Sequence, residues 1–232
     1  MTNCAKDKQK GGPHLGMGIE VWTLELTRIR DQLRRQPCLK TLLGPSERMQ
    51  AESYASTALS ERYTAAHVGL RSILVQRCGT KVASQEFATT PTGKPFLPGG
   101  PHFSLSRAGS LGLVAISEKS SVGVDIEQKR KIAIDDWSAR YPILRLFAKD
   151  FVWDGPGAFL QGWVRLEAWC KRRALPLARM LDNHEAELAR KGETFETFDP
   201  GPELQQLTVP SGYLAWCACD TDGGILQRSL DL

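Results

Sequence analysis

The stretch Ser121-Val-Gly-Val-Asp-Ile-Glu-Gln128 constrains this chain more than any other. It is an apolar run that ends in two carboxylates. Successive side chains of a strand point to opposite faces, so residues two apart share a face. Asp125 and Glu127 therefore project together, with Val124 and Ile126 on the other side. A third acid, Glu167, belongs with them. It lies in Trp163-Val-Arg-Leu-Glu-Ala-Trp-Cys-Lys171, a helical segment in which Glu167 and Lys171 stand four apart and share a face.

The chain before this strand reads as alternating elements. Gly18 to Leu26 alternates apolar and polar residues and predicts a first strand. Leu33, Leu39, Leu42 and Leu43 predict a short helix broken near Pro37, and Ser46 is placed to N-cap the helix that follows. Tyr63, Ala66, Leu70, Ile73 and Leu74 recur at helical spacing and predict a long helix over Arg62 to Gln76, ended by Gly79. Pro91 to Phe96 is a turn-rich loop. His102 to Ser106 and Leu111 to Ser117 predict two strands, followed by the carboxylate strand as the third of an antiparallel meander.

After the carboxylates the pattern is mixed. A helix is predicted around Asp136 to Phe147, interrupted by Pro142, and a long one over Phe159 to Arg173. Glu185 to Lys191 reads as helix, and Gln206 to Val209 with Gly212 to Cys219 as a closing hairpin. The order is that of an α/β (α+β) chain in which helix-then-strands occurs twice. The expected organisation is a disordered lead-in over residues 1–17, an N-terminal half over 18–118 and a C-terminal half over 119–232, in one compact unit.

Composition excludes more than it selects. The 232 residues are 41% hydrophobic and 24% charged, with net charge +4, as expected of a globular protein. No basic-aromatic stripe or finger motif points to nucleic acid. Residues 1–17 are polar and Gly-rich, unlike a signal peptide, and no apolar run approaches the roughly 20 residues that span a bilayer. The six cysteines show no CxxC spacing and read as free thiols of a cytoplasmic protein.

Taken singly, Glu167 and Lys171 could be a surface ion pair, and Asp125 and Glu127 a solvated strand end. Together the three acids form an all-oxygen donor set suited to Mg²⁺. Zinc is disfavoured because no His or Cys accompanies them. Such an ion neutralises transferring phosphoryl groups. Gly93-Lys94-Pro95 adds a cation beside close-approaching backbone, and Ser104, Ser106 and Arg107 end a strand with polar groups able to hold phosphate. No Walker-type loop is present.

The ordered segments GKPFL, HFSLSRAGSLGLVAIS, VGVDIE and WVRLEAWCK resemble the motifs of the 4′-phosphopantetheinyl transferases of the surfactin-synthetase-activating type. RYTAAHVGLR resembles that family's first long helix. The resemblance implies two pseudo-symmetric halves, each a small mainly antiparallel sheet on a long helix, with coenzyme A and Mg²⁺ in the cleft between them. It implies metal ligands at Asp125, Glu127 and Glu167, and cofactor contacts from Lys94, Pro95, Ser106 and Arg107. Glu167 would deprotonate a serine of an apo acyl or peptidyl carrier protein, and Lys171 would neutralise the phosphate of the departing 3′,5′-ADP. A monomer is implied, with both halves in one chain. The chain departs from the family at Ser104 (usually Asn), Arg107 (usually His) and Leu166 (usually Lys), and carries Glu47, Gln50 and Glu52 where basic residues are usual. Those departures keep open a non-catalytic relative that binds coenzyme A or a carrier protein.

Overall fold

The structure is a computed structural model that describes residues 18–130, 137–149, 156–220 and 224–232. The expected disordered lead-in over 1–17 and part of the Asp136 to Phe147 region lie outside the described residues.

Strand β1 (Ile19–Glu25) runs into helix α1 (Leu26–Arg35), which buries Leu26, Ile29 and Leu33 on one face. A 3₁₀ segment over Pro37–Leu42 absorbs the break at Pro37. Helix α2 (Pro45–Glu52) starts at Gly44, not at the predicted Ser46. Pro45 occupies the first helical position, where its missing N–H costs nothing. The Gly44 N–H then donates to the Glu47 side chain at 2.7 Å. Helix α3 (Thr57–Ala83) is longer than predicted, and Gly79, at φ 77°, breaks it one turn before its end.

The loop after α3 holds a small hairpin, β2 (Ala88–Thr89) with β3 (Pro95–Phe96). Strands β4 (His102–Ala108) and β5 (Leu111–Ser117) pair across a two-residue turn whose Gly109 sits at φ 53°. β6 (Gly123–Gln128) carries the two acids. It is followed by α4 (Trp137–Arg140), α5 (Ile143–Phe147), α6 (Pro156–Arg173) and α7 (Leu177–Ala189). The chain ends with β7 (Leu204–Gln206), β8 (Tyr213–Ala218) and β9 (Ile225–Ser229).

The meander predicted for β4, β5 and β6 does not form. The first sheet has order β4-β5-β1-β9, antiparallel except where β9 joins β1 in parallel. β6 opens a second sheet, β6-β8-β7, all antiparallel. The physical reason lies in the strand faces. β5 is buried along its whole length: Val114 and Ile116 join a core with Leu70 and Ile73 of α3, while Leu113 and Ala115 join another with Val124 and Ile126 of β6. β8 divides likewise. Ala215 and Cys217 face the first sheet, and Leu214 and Trp216 pack with Leu160, Val164 and Trp169 of α6. The period-2 pattern thus builds four layers in the order helix, sheet, sheet, helix.

The fold is therefore a mixed α/β arrangement of small sheets and helices. Among the described residues no helix is long and apolar enough to cross a membrane.

Candidate active site

The two sheets meet at the carboxylate strand. β6 has no backbone ladder to β4, yet its Val124 N–H donates to Ser104 Oγ at 3.1 Å and its Ile126 N–H to Ser106 Oγ at 3.4 Å. Buried N–H groups require acceptors, and two serine hydroxyls supply them here. Ser106 Oγ then donates to Asp125 Oδ1 at 2.6 Å. The Ser-x-Ser spacing of β4 therefore anchors β6 and orients its first acid.

Helix α6 reaches this strand because Gly123 has no side chain. A Cβ at Gly123 would lie 2.0 Å from the Ala168 carbonyl oxygen and 2.4 Å from the Arg172 nitrogen. The close approach brings the Glu167–Lys171 face of α6 over Asp125. Lys171 Nζ donates to Asp125 Oδ1 at 2.7 Å and to Ser106 Oγ at 3.1 Å, and pairs with Glu167 Oε1 at 3.2 Å. Trp163 Nε1 donates to the second Glu167 oxygen at 3.1 Å, fixing that carboxylate along the helix.

The electrostatics follow from burial. Asp125 is 2% exposed. Desolvation lifts its pKa to about 6, the Glu167 charge adds to the rise, and Lys171 and Ser106 oppose it. Burial also works against the Lys171 cation, but the two carboxylates outweigh it and hold its pKa above the ordinary value. Asp125 Oδ2 is buried and lacks a hydrogen-bond partner among the described residues.

A cleft of about 320 Å³ opens beside this cluster, lined by Lys171, Lys94, Pro95, Arg107, His67 and Ser104 among others. Pro95 lies on the exposed β3 edge. Arg107 stacks over the Tyr63 ring at 5.4 Å and makes no ion pair among the described residues. Lys94 turns to backbone: its Nζ donates to Val122 O and Ser121 Oγ, each at 3.0 Å. Burial, with a contribution from Arg172, lowers its pKa to about 8. Glu127 shares the Asp125 face but pairs with Arg130 at 2.8 Å. Among the described residues no three His, Cys, Asp or Glu side chains converge as a metal cage. The structure thus unites Ser106, Asp125, Glu167 and Lys171, places Lys94, Pro95 and Arg107 in the adjoining cleft, and leaves Glu127 paired with Arg130.

Sequence reasoning missed the Glu47–His67–Arg71 cluster, whose His67 lines the cleft. Glu47 Oε1 lies 2.7 Å from His67 Nδ1, and Oε2 accepts from Arg71 Nε at 2.9 Å. Burial opposes the Glu47 charge, but the hydrogen bonds from His67, Arg71 and the Gly44 N–H win and hold its pKa below the ordinary range. His67 and Arg71 stand four apart on α3 and share a face, the one signal that could have pointed to them.

No protein-family model matches the chain. It is 26% identical over 95 residues to a protein of Synechocystis sp. (strain ATCC 27184 / PCC 6803 / Kazusa) described as "Putative 4′-phosphopantetheinyl transferase", with 39% of each chain covered. The chain thus spans about two fifths of the curated relative's length. This distant similarity agrees with the motif resemblance at the level of 4′-phosphopantetheinyl transferases in general, and does not reach the surfactin-synthetase-activating type.

Proposed function

We propose that this chain transfers the 4′-phosphopantetheine arm of coenzyme A to a serine of an apo acyl or peptidyl carrier protein, with Mg²⁺ as cofactor. The observation that carries this reading is the Ser106–Asp125–Lys171–Glu167 cluster bordering a cleft with cationic walls. The units around α3 and α6 would be the two pseudo-symmetric halves, 18–118 and 119–232 apart from β9, which returns to the first sheet, working as a monomer in the cytoplasm.

The residues fit a hard cation by donor chemistry. Asp125 Oδ2, unpartnered among the described residues, and the Glu167 carboxylate would supply oxygens, Glu127 on the same strand face would be a third, and Mg²⁺ commonly takes one or two carboxylates with phosphate oxygens and water. The ion, when bound, would neutralise charge on the pyrophosphate.

The protein's own groups account for the rest. Arg107, in the cleft wall beside Lys94, binds and orients the phosphorylated cofactor along the cleft. Trp163 holds Glu167 so that one oxygen can accept the carrier serine's proton. The serine oxygen forms its bond to the β-phosphorus as the bond to the 3′,5′-ADP oxygen breaks, and Lys171 stabilises the negative charge that moves to that oxygen. A second reading, a binding protein without transfer, draws on Lys171 itself, whose ammonium is already shared between Asp125 and Glu167.

Incubating the full chain with coenzyme A, Mg²⁺ and a panel of apo carrier domains, then measuring carrier mass, separates the two. Addition of one phosphopantetheine arm is expected. An unchanged mass across the panel, with coenzyme A still bound by the chain, establishes the binding protein instead.

A further inference from the structure

The last carbonyls of a helix have no donors within it. At the end of α6 and in the closing turn at Ala174, carbonyls are met from across the molecule. Ala174 O accepts from Thr92 Oγ1 at 2.5 Å, and Arg172 O accepts from Ser121 Oγ at 2.6 Å and from Lys94 Nζ at 3.5 Å. Thr92 and Lys94 both belong to the tip of the β2–β3 hairpin. That tip is itself tied together. Thr90 N–H donates to Lys94 O at 2.9 Å, Lys94 N–H to Thr90 Oγ1 at 3.0 Å, and the Thr90 and Thr92 hydroxyls are 3.0 Å apart.

The capped turn needs holding. The Leu175 N–H bonds Cys170 O and the Ala174 N–H bonds Lys171 O, which closes the helix in the left-handed manner usually given to glycine. Ala174 occupies that position at φ 51°, a conformation that costs a side-chain-bearing residue about 1–2 kcal/mol. Lys171 sits in this same final turn. Lys94 faces backbone carbonyls and a hydroxyl, with no carboxylate partner among the described residues, an arrangement that a helix C-terminus favours.

We propose that Thr92 and Lys94 are positioning residues. By capping the last turn of α6 they fix Lys171, and with it Glu167, relative to Asp125. The hairpin tip is a cleft wall because it is also the cap of the helix that carries the chemistry. The kinetic part of this proposal rests on the transferase reading, whereas the capping part does not.

The test uses Thr92→Val, which removes the hydroxyl at nearly constant volume, Thr92→Ser, which restores it, and Lys94→Met. Loss of one hydrogen bond of ordinary strength predicts roughly tenfold faster amide exchange over residues 171–175 in Thr92→Val, with residues 158–164 unchanged. Transfer is expected to lose about tenfold in kcat with KM within about twofold, because positioning is expressed in the transition state. Thr92→Ser recovers both, and Lys94→Met repeats the pattern. Unchanged exchange in Thr92→Val and Lys94→Met overturns the cap. A loss carried wholly by KM overturns positioning in favour of direct ligand contact. A wild-type chain that transfers to no carrier refutes the transferase reading, and amide exchange then decides the cap alone.

Discussion

Gly123→Ala is the sharpest perturbation of this architecture. The added methyl group would sit 2.0 Å from the Ala168 carbonyl oxygen and 2.4 Å from the Arg172 nitrogen, more than an ångström inside ordinary contact. Both atoms are helix backbone, so no side-chain rotation can relieve the clash. Helix α6 must move away from β6, or β6 must leave β8. Overpacking of this kind costs about 1–3 kcal/mol, here at or above the upper end. A loss of about 3 kcal/mol lowers the melting temperature of a chain this size by roughly 6–12 °C. The same movement carries Lys171 and Glu167 off Asp125. A misplacement of about 1 Å in a catalytic constellation costs on the order of a hundredfold in rate. Thermal unfolding followed by circular dichroism reads the first effect, and carrier mass over a time course reads the second. A Gly123→Ala chain with wild-type melting temperature would mean that α6 and β6 do not approach as described. Wild-type melting with a hundredfold slower rate would contradict the shared cause.

Three other outcomes follow from single groups. Lys171→Met strands the buried Asp125 carboxylate and is expected to cost about 3 kcal/mol, since breaking a buried pair leaves an uncompensated charge. Adding Asp125→Asn is expected to restore denaturant stability without restoring transfer. Ala174→Gly relieves the φ of 51° and is expected to raise the denaturation midpoint by up to about 1 kcal/mol in stability, where an ordinary helix position would lose that much. Glu47 governs acid stability. Its folded pKa lies below the ordinary 4.5, so its contribution is fully present above that value and is lost as pH falls through the folded pKa. Glu47→Gln should therefore flatten the acid limb of a stability–pH curve, and an unchanged slope below about pH 4.5 would contradict the assignment.

The elements that the sequence made legible are those whose signal is local. The apolar face of α3 and the alternation through β1, β4, β5 and β6 depend on neighbours within a few residues, and they form as expected. The i, i+4 spacing of Glu167 and Lys171 predicted a shared face, and the pair forms. Illegible features depend on distant partners. The transfer of β6 from the first sheet to the second is decided by Ser104 and Ser106 replacing a backbone ladder, which alternation alone does not reveal. β9 carries Leu226, Gln227 and Arg228 mostly exposed, so it shows no apolar rhythm, and only its pairing with β1 makes it a strand. Lys94 read as a phosphate contact, and its hydrogen bonds to Val122, Ser121 and Arg172 come from segments too distant for the sequence to show. The N-cap fell at Gly44 because Pro45 fixes the first helical position and Glu47 satisfies the Gly44 N–H.

The central claim, that Asp125 and Glu167 act with Lys171 as a phosphopantetheine-transferring centre, meets its most direct test in one comparison. Wild-type chain, Asp125→Ala and Glu167→Ala are each incubated with coenzyme A, Mg²⁺ and the same apo carrier, and carrier mass is followed over time. The account predicts one added arm with wild-type protein and none with either variant, while both keep wild-type secondary structure by circular dichroism. Transfer at the wild-type rate by either variant would contradict it.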